Sequence, residues 1–325
     1  MPEMSYREAV AKALADELEA DPTVIFFGED VAEAGGVFKV TAGLFERFGA
    51  RRVRDTPISE QAIVGMALGA AITGLRPVAE LMFADFIPVA LDQIANQVAK
   101  YRYMSGGQFL VPLTIRAAQG GGNGFGTQHS QCAEGWLMNF PGLKVVSPST
   151  PADMYGLLRA AIRDDNPVIV LEHKGLYNLK GEVPDNMPPM ALGKSAVVRT
   201  GSDVTVVASQ LMLHRALESA NALASEGIDC EVIDVRSFAP LDKETFLTSL
   251  AKTNRLVVVE EAPHSAGWGG DIASLAADEG IYDLAAPVRR VNMGGALIAY
   301  SPPLEDEVMP NVGRISSVIQ AVLAH

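Results

Sequence analysis

The chain has 325 residues, of which 48% are hydrophobic and 20% are charged, the balance of a globular protein with a sizeable core. Its 39 acidic residues outnumber its 26 basic residues and give a net charge of −13. This excess argues against a nucleic-acid or anionic-membrane partner, which would need a basic surface. The length exceeds the size at which single cores stop growing, so we expect two domains.

Two features bear on the compartment. Cys132 and Cys230 lie far apart and have none of the spacings of a zinc site, so we expect thiols in a reducing environment. The N-terminal residues MPEMSYREAV lack the apolar core of a secretory signal. The uncharged, apolar run of 15 residues between Glu60 and Arg76 is too short to span a bilayer. We therefore expect a cytoplasmic protein with no membrane-spanning segment.

The first helix is marked at both ends. Ser5 and Glu8 have the spacing of a capping box before AVAKALADELEA, and Asp21-Pro22 ends the helix. The strand VIFF follows, then a loop through Gly28–Gly36, a short helix near AGLFERFG and the loop RDTPISE. The next helix, QAIVGMALGAAITG, contains glycines that lower helix propensity, so we expect it to pack closely against a neighbour.

Apolar segments then predict buried strands separated by helices: RPVAELMF, VPLTIRAA, LKVVSPS and PVIVLEH. Such alternation is typical of a parallel sheet covered on both faces. After a Pro-, Gly- and Met-rich linker around residues 178–193, the pattern restarts with DVTVVASQ, DCEVIDV, RLVVVEE and PVRRVNM. We therefore predict an α/β protein with two doubly wound, mostly parallel-sheet domains, residues 1–185 and 186–325.

Parallel sheets bind ligands outside the carboxyl ends of their strands, so the loops after strands hold the candidate site residues. Glu29 and Asp30 follow the first strand, Glu60 begins the glycine-rich helix, and Phe83 and Phe86 end or follow the strand RPVAELMF. Each also has a plain structural explanation: solvated loop acids, a carboxylate at the positive end of a helix dipole, and core aromatics. The positions alone leave both explanations open.

A glycine-rich loop, GGGNGFGTQHSQ at residues 120–131, follows the strand VPLTIRAAQ. Glycine runs after strands often cradle phosphate with backbone N–H groups, yet this one fits neither G-x-G-x-x-G nor G-x-x-x-x-G-K-S/T. It carries Gln128, His129 and Ser130 instead. His129 is a candidate catalytic group, and an ordinary surface histidine is the alternative. The residues alone predict an α/β enzyme whose site combines a carboxylate and a histidine.

Collinear motifs over nearly the whole chain match a known family: GEDVAEAGGVFKVT, RVRDTPISE, GLRPVAELMF, LDQIANQVAKYRYMSGG, QHSQ, PGLKVVSPSTPADMYGLLRAAIRDDNPVIVLEHK and RLVVVEEA. With these motifs the chain resembles the beta subunit of the decarboxylating component of 2-oxo acid dehydrogenase complexes, of the pyruvate and acetoin dehydrogenase type. The resemblance implies a thiamine diphosphate-dependent enzyme subunit. It also implies a transketolase-like pyrimidine-binding domain followed by a transketolase C-terminal-like domain.

The resemblance implies roles for particular residues. Glu60 binds the aminopyrimidine ring of thiamine diphosphate and starts removal of the thiazolium C2 proton. Phe86 stacks on the pyrimidine, Met82 lies nearby, and Glu29 belongs to an acidic, water-lined passage between two active sites. His129 stands by the reacting carbon, where it stabilises the reacting intermediate or protonates the lipoyl sulfur.

Partners and metal ions are implied in the same way. The family's magnesium and diphosphate motif, G-D-G…N-N, belongs to a separate alpha subunit, and GGD at residues 269–271 lacks the partner asparagines. We therefore expect an alpha2beta2 heterotetramer that works with a lipoyl acyltransferase core. The resemblance also implies a monovalent cation, normally potassium, on oxygens of a set of residues in the first domain: Leu113, Ala161, Ile162, Asp164 and Asn166.

The expected reaction is oxidative decarboxylation of pyruvate or a related 2-oxo acid, with acyl transfer to lipoamide. An acetoin dehydrogenase beta subunit, which cleaves acetoin, is the alternative enzyme. Val89, Gly295 and Ala299 depart from the pyruvate-type pattern, so substrate choice and acyltransferase docking through the segment Gly294–Tyr300 stay open. A non-catalytic assembly subunit is disfavoured by the intact motifs around Glu60 and His129. A single-chain transketolase-like enzyme is disfavoured by the missing diphosphate motif.

Overall fold

In a computed structural model, which describes residues 2–325, the chain forms two compact α/β units. The first unit contains residues 2–119 and Trp136–Leu192, and the second contains Gly120–Gly135 and Gly193–His325. The predicted fold class is confirmed. The domain boundary after residue 185 stays a prediction, and the structure adds that the glycine-rich loop belongs to the same compact unit as the C-terminal residues.

The first unit is built on a parallel sheet. The strands of that sheet are β2 (Val24–Gly28), β3 (Val53–Asp55), β4 (Arg76–Phe83), β5 (Thr114–Gln119), β6 (Lys144–Val146) and β7 (Val168–His173), while β1 (Glu3–Ser5) and β8 (Lys180–Glu182) form a separate pair. Strands β2 to β7 are parallel, in the order β6–β7–β5–β4–β2–β3. Every residue of β5 and β7 is buried, as their unbroken apolar sequences predict.

Helices alternate with these strands: α1 (Tyr6–Ala20), α2 (Leu44–Phe48), α3 (Glu60–Ile72), α4 (Tyr101–Met104), α5 (Glu134–Met138) and α6 (Pro151–Arg163). The predicted capping box begins α1, because Ser5 N–H donates to Glu8 Oε2 at 2.6 Å and Glu8 N–H donates to Ser5 Oγ at 3.2 Å. Helix α1 lies against α6, where Arg159 Nε donates to the buried Glu17 at 2.7 Å. Ala84–Ala90 forms a 3-10 helix after β4.

The second unit contains a mixed sheet. The strands of that sheet are β9 (Ala196–Arg199), β10 (Val204–Ala208), β11 (Cys230–Asp234), β13 (Leu256–Val259) and β14 (Arg289–Val291), and the unit also contains β12 (Ser237–Ala239), which is not part of that sheet. Strands β14–β13–β10–β11 are parallel in that order, and β9 pairs antiparallel with β11 at the edge. The helices are α7 (Gln210–Ala224), α8 (Lys243–Thr253), α9 (Gly269–Asp278), α10 (Pro302–Val308) and α11 (Val312–Leu323). Apolar residues of the central strands, α7 and α11 form its core.

Short strands were missed at the level of sequence. The segment predicted as a linker contains β8, which pairs antiparallel with β1 over three residues. The edge strand β9 exposes Val197 and Val198, so it shows no apolar run. Among residues 2–325, no helix combines the length and the apolar character that crossing a membrane requires.

Candidate functional site

The carboxyl edge of the first sheet places two predicted loops side by side. Strands β2 and β3 end together, with Gly28 paired to Asp55. Thr56 N–H then donates to Gly28 O at 2.9 Å, and Ala32 N–H donates to Asp55 Oδ1 at 2.8 Å. These bonds fix the loop after β2 against the segment that enters α3. The backbone around the site that was predicted at the carboxyl ends of the strands is therefore held by specific hydrogen bonds.

Glu60 and Glu29 lie close together at this edge. Glu60 is the first residue of α3, with its side chain buried at 8% exposure, and the N-cap residue Ser59 makes no side-chain capping bond. Burial raises the pKa of the Glu29 carboxyl, and the charges of Glu60 and Asp30 raise it further. The arrangement favours a proton on Glu29, because two neighbouring carboxylates resist being ionised together.

Met82 and Phe86 follow at the end of β4. Leu81 pairs with Ala117 and Phe83 with Ala118, so Met82 is the additional residue of a β-bulge. Bulges redirect side chains and are common beside functional sites. The Phe83 and Phe86 rings meet edge to face, with centroids 5.8 Å apart. Phe83 is buried in the core, in agreement with the structural role considered for it from the sequence, while Phe86 is half-buried.

A buried ionic cluster lies directly behind this edge and was missed by sequence reasoning. Arg116 donates to Glu80 and, through Nε and Nη2, to both oxygens of Glu172 at 2.6 and 2.9 Å. Tyr177 OH donates to Glu172 Oε2 at 2.9 Å. Burial raises the pKa of Glu80, whereas the Arg116 charge lowers it. A Cβ added to Gly28 would lie 2.8 Å from Glu80 Cβ, so glycine is required there.

His129 lies in the second unit, on the glycine-rich loop. The backbone N–H of His129 donates to Gly126 O at 3.4 Å, and the backbone N–H of Gly120 donates to Gln131 O at 3.4 Å. These bonds join the two ends of the loop to each other and turn its middle back on the chain. The His129 side chain is half-buried. The hydroxyl of its neighbour Ser130 is buried with no hydrogen-bond partner among residues 2–325. The loop therefore presents a histidine beside an unsatisfied polar group.

The loop does bind anions, but they are carboxylates of its own chain. Gly122 N–H donates to Glu305 Oε1 at 2.8 Å, and Gly124 N–H donates to Glu305 Oε2 at 3.0 Å. Gly121 N–H donates to Glu261. Both acids are buried. The sequence suggested a backbone anion cradle without a phosphate signature, and the structure shows that Glu305 and Glu261 fill it.

The C-terminal segment with the unusual Gly295 and Ala299 contacts the same loop. Thr127 Oγ1 donates to the backbone oxygen of Ile298 at 2.9 Å. The ring of Tyr300 lies so close to Gly126 that an added Cβ would be 2.4 Å from Cε1. Changes in this segment therefore bear on the position of the histidine loop.

The GGD triplet at residues 269–271 begins α9. Gly269 N–H donates to the buried Glu260 Oε2 at 2.7 Å, and Arg290 Nε donates to Glu260 Oε1 at 2.6 Å. A Cβ at Gly269 would lie 2.7 Å from Glu260 Oε1. The start of this helix is thus already paired with a carboxylate of the same unit.

The residues predicted to hold a monovalent cation lie at the ends of β5 and α6 and in the turn before β7. Arg76 Nη1 donates to the backbone oxygens of Ile162 and Asp164 at 3.3 and 3.1 Å. Leu113 O accepts from Val168 N–H, and Ala161 O accepts from Asp164 N–H. Asn166 Oδ1 accepts from Arg102. Among residues 2–325, no cluster of three or more His, Cys, Asp or Glu side chains could hold a metal, so the cation site stays a prediction resting on backbone and amide oxygens.

The contact between Gly126 and Tyr300 generates a stability prediction with an internal control. Gly124 and Gly126 both have left-handed φ angles, +68° and +73°, so alanine at either costs about 1–2 kcal/mol in backbone energy. Only at Gly126 does the new Cβ collide, because at Gly124 the nearest atom lies 3.6 Å away. We expect Gly126→Ala to lower the free energy of unfolding in urea by clearly more than Gly124→Ala. Equal losses would show that Tyr300 does not hold the loop.

Comparison with known proteins agrees with this organisation. Residues 2–180 match the transketolase pyrimidine binding domain, and residues 193–315 match the transketolase C-terminal domain. The acetoin:2,6-dichlorophenolindophenol oxidoreductase subunit beta of Bacillus subtilis is 45% identical, covering 98% of this chain and 97% of that protein. The 2-oxoisovalerate dehydrogenase subunit beta of the same organism is 42% identical, covering 98% of both chains.

Two further matches point the same way. The pyruvate dehydrogenase E1 component subunit beta of Rickettsia felis is 43% identical, covering 98% of this chain and 97% of that protein. A solved structure of a split-gene transketolase, an inactive beta4 tetramer, superposes with a TM-score of 0.79 at 25% identity over 99% of both chains. The resemblance seen in the sequence motifs is confirmed. The chain belongs to the family of beta subunits of the 2-oxo acid and acetoin dehydrogenases, built from a transketolase pyrimidine-binding domain and a transketolase C-terminal domain.

Proposed function

We propose that this chain is the beta subunit of a thiamine diphosphate-dependent dehydrogenase that decarboxylates a 2-oxo acid, or cleaves acetoin, and transfers the acyl group to lipoamide. The observation that carries the proposal is the buried Glu60 at the start of α3, beside Glu29, in a chain whose relatives are dehydrogenase beta subunits. The chain acts as an oxidoreductase subunit together with an alpha subunit, in an alpha2beta2 heterotetramer.

The first unit offers groups that fit an aminopyrimidine ring. Such a ring needs an acid at a ring nitrogen, further polar contacts and an apolar face. Glu60 supplies a buried carboxyl, and the Thr56 hydroxyl is buried with no hydrogen-bond partner among residues 2–325. Met82 and the half-buried Phe86 supply apolar surface at the bulge and the segment after it. These features support the assignment of Glu60, Met82 and Phe86 to the pyrimidine.

The proposed work of Glu60 is to hold a proton at the ring nitrogen. When bound, thiamine diphosphate would supply a nucleophilic carbon and an electron sink for the substrate. A dry setting strengthens the hydrogen bond from Glu60, because water does not compete for it. Glu29, whose raised pKa favours the protonated form, is a second proton-holding group beside it.

His129 serves the acyl-transfer half of the reaction in this proposal. Its loop is thin, because glycines contribute no side chains, so a substrate arm can approach the histidine closely. Histidine is the most common proton-transfer side chain in enzyme sites, so His129 can supply the proton that a lipoyl sulfur needs when its disulfide opens. The neighbouring buried Ser130 hydroxyl supports a polar ligand at this place.

An alpha subunit is proposed to bind the diphosphate and magnesium. The backbone anion cradles described in the second unit are filled by the chain's own acids, Glu260, Glu261 and Glu305. Their occupation supports a diphosphate site on another chain. The fold relative that is described as an inactive beta4 tetramer is consistent with a chain of this kind needing a partner.

Further parts of the proposal follow the family resemblance. The tetramer is cytoplasmic and docks on a lipoyl acyltransferase core. A potassium ion binds the oxygens of the turn before β7, where carbonyls suit a hard, weakly held cation. A cation there would share the backbone oxygens of Ile162 and Asp164 with the Arg76 guanidinium, which already donates to both.

Substrate choice is tested with a panel. The acetoin, pyruvate and 2-oxoisovalerate relatives are 45%, 43% and 42% identical, so identity does not choose among their substrates. Turnover of pyruvate, 2-oxoisovalerate and acetoin by the reconstituted tetramer, measured with a dye acceptor, assigns the substrate. We expect turnover of pyruvate or another 2-oxo acid, with acetoin as the alternative. Absence of turnover with every compound would favour a non-catalytic assembly subunit.

Glu60→Gln tests the first half of the mechanism. Glutamine keeps the shape of the side chain but does not supply the carboxyl proton, so exchange of the cofactor's C2 proton should slow by roughly 10²–10⁴-fold. The exchange is measured by NMR in the reconstituted tetramer. Glu46→Gln, at an exposed acid in the first turn of α2, is the matched control and should leave exchange unchanged. Wild-type exchange in Glu60→Gln would remove Glu60 from the mechanism.

His129→Ala tests the second half. Dye-linked turnover should fall modestly. Transfer to lipoamide should fall roughly 10²-fold more than dye-linked turnover, because the forming thiolate loses its proton donor. The ratio of the two rates in one preparation controls for protein quality. If both rates fall by the same factor, the histidine only orders its loop.

A further inference from the structure

We infer that Glu305 is a positioning residue for His129: its carboxylate binds the backbone of the glycine-rich loop and thereby fixes the position of the histidine. This inference rests on the proposed role of His129, and it adds a residue to that site. Glu305 lies in α10, far from the loop in sequence, and its side chain is 2% exposed. It touches the backbone of the loop rather than any reacting group.

The Glu305 carboxylate binds the loop through both of its oxygens. One carboxylate oxygen accepts from Gly122 N–H at 2.8 Å and the other from Gly124 N–H at 3.0 Å. Both glycines have positive φ, +85° and +68°, a conformation that glycine adopts without strain. Neighbouring backbone N–H groups in such turns can form an anion-binding concavity. Two bonds to one rigid group fix both the position and the orientation of this part of the loop.

The close approach depends on the absence of a side chain at Gly121. A Cβ there would lie 2.9 Å from Met309 Sδ, 3.2 Å from Glu305 Oε1 and 3.2 Å from Ile298 Cδ1. Gly121 N–H also donates to the buried Glu261. The base of the loop is therefore pressed onto a polar surface made by two acids and flanked by apolar atoms.

Between the end of β5 at Gln119 and the start of α5 at Glu134, no helix or strand forms among the described residues, so contacts with the surroundings help to set the course of the loop. Thr127 donates to Ile298 O on the side nearer the histidine. Glu305 thus controls the first part of the loop, and a shift there is carried along the chain to His129.

The test uses Glu305→Gln in the reconstituted tetramer. Glutamine keeps the side-chain shape, but its NH2 group would face one of the two loop N–H groups, so one hydrogen bond must break. We expect amide hydrogen exchange in a peptide covering residues 120–131 to rise about tenfold, the size expected for a lost bond to a charged acceptor. Glu307→Gln, at an exposed acid on the same helix, is the matched control and should leave exchange unchanged.

Activity then separates positioning from simple structural support. Glu305→Gln should lower transfer to lipoamide more than dye-linked turnover, and it should add little to the loss already caused by His129→Ala. Glu305→Asp, which keeps two acceptor oxygens, should recover part of both the protection and the transfer rate, and it provides a second reading if Glu305→Gln folds poorly.

The outcomes are distinct. Unchanged amide exchange in residues 120–131 would overturn the inference whatever His129 does. Faster exchange with unchanged transfer, in a protein where His129→Ala does reduce transfer, would also overturn it, because the hold would then not matter for the histidine. If His129→Ala leaves both activities intact, the proposed role of His129 fails, and with it the positioning role, while the exchange result still reports whether Glu305 anchors the loop.

Discussion

Compensation of buried carboxylates is the constraint on which both units depend. Removing a charge from water is costly unless hydrogen bonds or opposite charge replace the lost hydration. In the first unit Arg116 lies between Glu80 and Glu172 and satisfies both. In the second unit Glu260 pairs with Arg290, while Glu305 takes its hydrogen bonds from glycine N–H groups. The acids thereby join parts of the chain that are distant in sequence.

This constraint separates structural acids from those available for chemistry. The carboxylates of Glu80 and Glu172 are engaged by the Arg116 guanidinium in the interior of the sheet. Glu29 and Glu60 lie at the carboxyl edge of the same sheet, where burial and the neighbouring charges of Glu60 and Asp30 raise the pKa of Glu29. One sheet therefore carries an ionic cluster in its interior and two neighbouring carboxyls at its carboxyl edge.

Much of the fold follows from local patterns in the sequence. The run RPVAELMF coincides with β4, and the capping box at Ser5 and Glu8 forms as spaced. Glu60, which directly precedes the predicted helix QAIVGMALGAAITG, is the first residue of α3. The strands that were not predicted are shorter or more exposed. Strands β1 and β8 have three residues each, and β9 has half-exposed valines, so none of the three gives a periodic or unbroken apolar signal.

The support of the candidate site was harder to predict than its loops. Glu305 accepts a hydrogen bond from Gly122, which lies 183 residues earlier in the sequence, and no local sequence pattern predicts such a contact. Charged residues inside apolar strands, Glu80 in β4 and Arg116 in β5, were the available signal for the buried cluster. The roles of Glu60, Met82, Phe86 and His129 came from family resemblance, since the residue types alone fit loop acids and core aromatics equally well.

We propose that this chain supplies the pyrimidine edge and the histidine loop but needs an alpha subunit to complete the cofactor site. The most direct test compares the chain purified alone with the chain produced together with its alpha subunit. Thiamine diphosphate binding is measured by calorimetry, and turnover is measured with a dye acceptor. We expect magnesium-dependent cofactor binding and turnover in the alpha2beta2 tetramer and not with the chain alone. Full cofactor-dependent turnover by the chain alone would show that no alpha subunit is needed.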